Sequence, residues 1–134
     1  MSATPSLPSV LLVEPQFVLR RTIVTVAREL GLVEFHEATS VDRALRLLAS
    51  HRFVGMVLDL GDGPDAMTLL AELRKGAFAT VPRIPVIVMT SEPGSAHEAT
   101  MQPLGPIDVL RKPFKIGALL ESVRTMAQHG SGSH

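Results

Sequence analysis

The sequence predicts an α/β domain with a single doubly wound parallel sheet of five strands, the (βα)5 arrangement. Short apolar runs alternate with segments whose apolar residues recur at helical spacing, which is the pattern of successive βα units. The 134 residues, 46% of them hydrophobic, suffice for one domain with a buried core and not for two. Because βαβ crossovers are right-handed and helices must cover both faces, we expect the strand order 2-1-3-4-5.

The first strand is predicted at residues 10–13, and the first helix follows it directly. Arg20 and Arg21 are expected on the solvent-facing side of this helix. Gly31 is a suitable C-terminal cap because glycine tolerates the left-handed conformation found there. The expected buried stripe recurs at spacings of three and four residues and consists of Leu19, Ile23, Val26 and Leu30.

The middle of the chain continues the alternation of strands and helices. A second strand is predicted at residues 32–38, and Ser40 is the predicted N-cap of the second helix. The third strand follows at residues 53–58, and Asp65 is expected to cap the third helix. The inward-facing residues predicted for these two helices are Val41, Ala44, Leu45, Leu48, Leu69, Leu70 and Leu73.

The last third of the chain supplies two more strands, at residues 85–89 and 107–110. A short helix between them is expected to begin near Ser95, and Pro103 ends it early because proline removes a helical hydrogen bond. The last helix is predicted to direct Leu119, Leu120 and Val123 inward. We expect residues 1–8 to form a disordered lead, 9–128 the domain, and 129–134 a flexible tail.

The composition narrows the classes of function. Thirteen basic and thirteen acidic residues cancel, so no global field attracts nucleic acid or an anionic membrane, and we expect neither as a partner. The absence of cysteine excludes a disulfide scaffold and thiol chemistry and fits a cytoplasmic location. No apolar run approaches the roughly 20 residues that span a bilayer.

Four of the five predicted strands lead directly into chemically capable side chains: Glu14, Asp59, Thr90 and, after Arg111, Lys112. Because the carboxyl ends of parallel strands meet at one edge of a sheet, we expect these residues to lie together. Two adjacent carboxylates favour Mg²⁺, and a hydroxyl and an ammonium complete a cradle for a phosphoryl group. The residues therefore predict Mg²⁺-assisted phosphorylation of Asp59, an aspartate that can itself act as a nucleophile.

The motifs that surround these residues resemble the receiver domain of two-component response regulators, the CheY-like family with a flavodoxin-like fold. The resemblance covers roughly residues 9–127. Each motif alone is weak, but the four occur in order and in suitable strand context. They are residues 10–20 (VLLVEPQFVLR), 56–59 (MVLD), 86–91 (VIVMTS) and 110–114 (LRKPF).

The resemblance implies a signalling domain and not an enzyme. Asp59 would accept a phosphoryl group from a phosphohistidine on a partner histidine kinase or phosphotransfer protein in a phosphorelay. Thr90 and Lys112 would sense that group, and the surface around the fourth helix, fifth strand and fifth helix would change its affinity for a downstream target. Ser91 would leave the acceptor accessible, and the bond before Pro113 would be cis.

The resemblance also implies a magnesium cofactor, and here the sequence departs from the family. The expected ligands are Glu14, Asp59, the backbone carbonyl of Gly61 and Asp62. The family's second acid is replaced by Pro15, so we expect Mg²⁺ to bind weakly and phosphorylation to be slow or absent.

Two alternatives remain open. Val109 occupies the strand position at which the family commonly has a switching tyrosine or phenylalanine, so the chain could be a pseudo-receiver, a protein-interaction module that works without phosphorylation. An enzyme on a related sheet is the other alternative. An aspartyl phosphatase needs a second acid at the position of Gly61, and a flavin protein needs a hydroxyl-rich loop after the first strand, which Glu14 and Pro15 do not provide.

Overall fold

A computed structural model of the protein describes residues 7–61, 64–91 and 99–132, the last four by their backbone only. All the strand pairs are parallel, and the sheet order is β2-β1-β3-β4-β5, so the predicted fold class and strand order are confirmed. The strands are β1 Ser9–Val13, β2 Glu34–Ala38, β3 Gly55–Asp59, β4 Val86–Thr90 and β5 Asp108–Arg111.

The helices alternate with the strands as the sequence predicts. Three of them are α1 Phe17–Glu29, α2 Val41–Ser50 and α3 Asp65–Arg74. Between β4 and β5, residues 99–101 are helical and continue into a 3-10 helix, Gln102–Leu104. The segment ends one residue after Pro103, as expected, whereas its predicted start near Ser95 lies outside the described residues. The last helix, labelled α4 here, spans Ile116–Gly132, so its backbone stays helical into the predicted tail.

The sheet is buried on both faces, which explains why its strands are almost continuously apolar. Helices α2 and α3 cover one face, where Leu70 and Leu73 belong to the same buried cluster as Met56 and Leu58. Helices α1 and α4 cover the other face, where Val123 belongs to the same buried cluster as the strand residues Val10, Leu12, Val57, Ile87 and Met89. The inward positions predicted for α3 and α4 are all buried.

Helix starts and stops follow the sequence signals with one exception. The Ser40 hydroxyl accepts a hydrogen bond from the Arg43 amide at 3.2 Å and caps α2, as predicted. The prediction that Asp65 caps α3 is wrong, because Pro64 is the N-cap and Asp65 is the first helical residue. Proline is tolerated at a helix start, where no helical partner awaits its missing N–H, and a carboxylate in the first turn still complements the helix dipole.

Helix α1 corrects a second prediction. Arg20, expected to face solvent, is buried, whereas Leu30 of the predicted stripe is 55% exposed. Leu30 is the C-cap residue and lies beyond the last helical turn, and Gly31 follows it with a left-handed φ of 65°. Arg20 turns inward because acceptors on β2 and on the loop after β1 satisfy its guanidinium, as described below. Among the described residues, no helix is both long enough and apolar enough to span a membrane.

Candidate functional site

The carboxyl edge of the sheet brings together the side chains that the sequence placed there. Glu14 directly follows β1, Asp59 ends β3, Thr90 ends β4 and Lys112 directly follows β5. The Lys112 Nζ lies 2.6 Å from Glu14 Oε1 and 2.9 Å from Asp59 Oδ1. Glu14 and Asp59 are thus neighbours in space, because β1 and β3 are adjacent at the point where the strand order reverses.

Glu14 is held by hydrogen bonds to its backbone N–H and to both of its carboxylate oxygens. Its backbone N–H donates to the carbonyl of Ala38 at 3.0 Å, which extends the pairing of β1 with β2 by one residue. Its side chain is 0% exposed. Oε1 accepts from Lys112, and Oε2 accepts from the backbone N–H of Gln16 at 2.9 Å. Each carboxylate oxygen of Glu14 therefore has one hydrogen-bond donor, which fixes the orientation of the side chain.

Lys112 is positioned by its backbone as well as by its ion pairs. Its amide donates to the carbonyl of Thr90 at 2.8 Å, and the peptide bond to Pro113 is cis, as predicted. Burial works against the charged ammonium, but the hydrogen bonds and charges of Glu14 and Asp59 outweigh it and raise the pKa of Lys112. Lys112 is therefore a fixed cation at neutral pH.

A crevice of about 230 Å³ opens beside Asp59. Pro15, Gly61 and Asp65 are among its lining residues, whereas Glu14 and Lys112 are not. Gly61 has a left-handed φ of 67°, which suits glycine, and a Cβ added there would lie 3.9 Å from Asp59 Oδ2. Within the described part of the chain, Oδ2 accepts no hydrogen bond, and it lies near Gly61, which lines the crevice.

Arg20 is the residue at the site that sequence reasoning missed. Its Nη1 donates to the carbonyl of Glu14 at 3.1 Å, and its Nε lies 2.9 Å from Glu37 Oε1. Arg21 also pairs with Glu37. The guanidinium of Arg20 lies over the ring of Phe17, 5.6 Å from its centroid. Arg20 therefore holds the loop that carries Glu14 against β2. The only feature of the sequence that could have indicated this role is the acidic residue Glu37 on β2, which is distant from Arg20 in the chain.

The structure describes three of the four remaining residues that the sequence singled out. Thr90 is buried and Ser91 is exposed at the end of β4, while Asp62 lies outside the described residues. Val109 is half-buried and packs against the α2–α3 side of the sheet. A larger cavity, of about 640 Å³, is lined by Arg74 and Ile107 among others, but it opens at the opposite, amino edge of the strands.

Comparisons with known proteins agree with this geometry. The family model described as "Response regulator receiver domain" matches residues 10–124. The KDP operon transcriptional regulatory protein KdpE of Escherichia coli is 30% identical over 127 residues, which are 93% of this chain and 53% of that protein. The chain therefore spans about half the length of this curated relative.

Solved structures match over nearly their whole length. The receiver domain of a Francisella response regulator is 25% identical, with a TM-score of 0.79 over 91% of this chain and 98% of that chain. The receiver domain of a sensor histidine kinase from Pseudomonas aeruginosa, solved with magnesium coordinated in its active-site cleft, is 24% identical, with a TM-score of 0.75 over 91% and 98%. A CheY-like receiver from Methanospirillum hungatei has a TM-score of 0.81 at 17% identity, over 94% and 98%.

Receiver domains of this family typically bind Mg²⁺ in the cleft and interact with histidine kinases or phosphotransfer proteins in two-component systems. The strand order, the ion pairs of Lys112 and the match over residues 10–124 lead to one conclusion. This chain belongs to the response regulator receiver domain family.

Proposed function

We propose that this domain accepts a phosphoryl group on Asp59 from a phosphohistidine of a histidine kinase or phosphotransfer protein. One observation carries the proposal: the ammonium of Lys112 lies 2.9 Å from one oxygen of Asp59, while the other oxygen adjoins an open crevice. A fixed cation beside a reachable carboxylate stabilises the charge that develops on a transferring phosphoryl group. Thr90, at the end of the neighbouring strand, supports the same assignment as a hydroxyl that senses the product.

The transfer balances without another reactant. An oxygen of Asp59 forms a bond to phosphorus while the phosphorus–nitrogen bond of the phosphohistidine breaks. The electron pair of that bond stays with the imidazole nitrogen, and the ring leaves as a neutral imidazole because its other nitrogen already carries a proton. Asp59 becomes an acyl phosphate, and Lys112 remains beside its added negative charge.

The described residues suit a magnesium ion with few protein ligands. Asp59 Oδ2 and the carbonyl of Gly61 would hold it from the crevice, with Asp62 as a further predicted ligand. Mg²⁺ usually keeps several waters and uses one or two carboxylates, so this small set suffices for weak binding. When bound, the ion neutralises phosphoryl oxygens. Asp59 itself supplies the acceptor oxygen, and Gly61 borders it with a left-handed backbone that suits glycine.

The downstream event is a change of affinity for a protein target at the surface near β5 and α4. Val109 cannot report phosphorylation by rotating an aromatic ring, so we propose that the backbone carries the signal instead. The amide of Lys112 bound to the carbonyl of Thr90 supports such a route, because it couples the ends of β4 and β5 directly. Neither nucleic acid nor membrane is a proposed partner of this domain.

A pseudo-receiver function is the second candidate, and Pro15 together with Val109 favours it. Incubation with acetyl phosphate and saturating Mg²⁺, followed by intact-mass measurement, separates the two functions. We expect wild-type protein to gain one phosphoryl group and Asp59→Asn to gain none, with Asp65→Asn as a matched control that still gains it. An unchanged wild-type mass at every Mg²⁺ concentration would establish the pseudo-receiver and retire the phosphoacceptor.

A further inference from the structure

An apolar cavity opens at the amino edge of the sheet, at the far end of the strands from Asp59. Its volume of about 640 Å³ lies within the roughly 300–1,000 Å³ that is typical of small-molecule sites. Val81 and Ile107, which precede β4 and β5, are 57% and 40% exposed here. Apolar surface gathered in a concave site favours a ligand with an apolar body. The apolar lining includes Val54, Val81, Ile84, Pro85, Leu104 and Ile107.

The charge of this cavity is positive. Among the described residues, the charged side chains in its lining are both arginines, Arg74 and Arg83. The carboxylate of Asp108, the first residue of β5, is held elsewhere, since Oδ1 accepts from the Val109 amide at 2.9 Å and Oδ2 accepts from the Ser122 hydroxyl. Two arginines without a lining acid create a potential that attracts an anion.

Arg74 is a partly buried cation whose described partners are all neutral. Its guanidinium donates to the backbone carbonyls of Pro82, Ile84 and Leu104 at 2.7–2.8 Å and to that of Gly105 at 3.4 Å. Burial lowers the pKa of Arg74, and no described carboxylate offsets that effect. The four bonds use four of the five N–H groups, and the fifth, on Nη2, has no acceptor among the described residues. An anion in the cavity would supply both the missing charge and the missing acceptor.

We propose that this cavity binds a small amphipathic carboxylate, with its apolar body against the walls and its carboxylate at Arg74 and Arg83. A planar carboxylate matches the donor fork of a guanidinium. A singly charged group also suits a half-buried site better than a phosphate monoester does, because each further charge adds a desolvation cost. The site lies apart from Asp59 and does not depend on phosphoryl transfer, so the outcome of the phosphodonor experiment leaves it undisturbed.

Three probes separate the charge of the ligand from its apolar body. The full chain is titrated with phenylbutyrate, with the neutral primary amide of phenylbutyrate and with acetate, and the backbone amide signals of Val81, Gly105 and Ile107 are followed. We expect saturable shifts with phenylbutyrate, a dissociation constant at least about fivefold larger for the amide, and no saturation with acetate.

Three outcomes would overturn the proposal. The absence of saturable shifts would show that the cavity takes no such ligand. Equal affinities for phenylbutyrate and its amide would show that the arginines do not select an anion and that the cavity suits an apolar segment of a protein partner instead. Shifts confined to Leu60 and Gly61 would place the anion beside Lys112, at the other edge of the sheet.

A pair of variants at Val81 tests the location without perturbing the core, because this side chain is exposed. Val81→Glu adds a carboxylate at the cavity and should weaken phenylbutyrate binding at least about fivefold through like-charge repulsion. The matched control, Val81→Gln, has nearly the same shape without the charge and should stay within about twofold of wild type. Equal affinities of the Glu and Gln variants would overturn the assignment of the anion to this cavity.

A second pair tests the contribution of Arg83, whose side chain is exposed in the cavity lining. Arg83→Gln should weaken phenylbutyrate binding at least about threefold and leave binding of the neutral amide unchanged. Arg43→Gln is the matched control, since it removes the same charge from an exposed position at the start of α2, and it should stay within about twofold of wild type. Equal weakening by the two variants would show only a net-charge effect and overturn the role of Arg83.

Discussion

Arg20 of α1 binds Glu37 of β2 at 2.9 Å and, with the same guanidinium, the carbonyl of Glu14 at 3.1 Å. A buried cation on a helix thereby joins an edge strand to the loop that carries the candidate site. Helix α1 therefore does more than bury one face of the sheet. Through Arg20 it helps to position the loop that carries Glu14, and Glu14 in turn binds Lys112.

Arg20→Met should destabilise the fold by about 2–3 kcal/mol, because it leaves the buried carbonyl of Glu14 without its charged donor and Glu37 with Arg21 as its remaining partner. Arg21→Met is a matched control, since Arg21 pairs with the same glutamate but its side chain is 41% exposed. We expect it to cost less than about 1 kcal/mol. Urea unfolding of both variants measures the difference, and equal losses would refute the buried role of Arg20.

Gly55 on β3 is packed against Met126 of α4. A Cβ at position 55 would overlap the sulfur of Met126, which is fully buried. Gly55→Ala should therefore cost about 1–3 kcal/mol through overpacking. In a Met126→Ala background the same change should cost much less, because the space has been vacated. A double-mutant cycle by chemical denaturation checks this coupling, and strictly additive free energies would contradict it.

Arg74 fastens the end of α3 to the loops that precede β4 and β5. Its guanidinium donates to the carbonyls of Pro82, Ile84 and Leu104 at 2.7–2.8 Å, and burial lowers its pKa. Lysine keeps the charge but not the fork of donors, so Arg74→Lys should cost about 2–3 kcal/mol. Arg83→Lys, at an exposed position of the same region, should change stability by less than about 0.5 kcal/mol. Equal decreases in Tm for Arg74→Lys and Arg83→Lys would contradict the anchoring role of Arg74.

The charge of Lys112 should make stability sensitive to alkaline pH. Its carboxylate partners raise its pKa above the ordinary 10.5, despite the opposing effect of burial. A raised folded-state pKa gives stability that is fully present below the unfolded value and is lost as pH rises through the folded value. The unfolding free energy of wild type should therefore fall more steeply above pH 10.5 than that of Lys112→Met. Identical alkaline slopes in urea titrations would contradict the pairing.

The sequence predicted the fold and the gathering of Glu14, Asp59, Thr90 and Lys112 because parallel strands end at one edge by geometry. The helical periodicity of α1 could not predict that Arg20 is buried, because a charged helix residue is expected to face solvent unless its partner on another element is known. The cap of α3 was displaced by one residue because proline and aspartate both suit a helix start. The engagement of both Glu14 oxygens depends on distances that no pattern of residue types specifies.

Helix α3 runs from the carboxyl edge of the sheet to its amino edge. Its first residue, Asp65, borders the crevice of Asp59, and its last, Arg74, holds backbone oxygens at the far rim of the sheet. Ten helical residues measure about 15 Å, nearly the depth of the sheet along its strands. One continuous helix therefore runs from the acceptor crevice to the loops that precede β4 and β5, so both edges of the sheet share a single rigid element on this face.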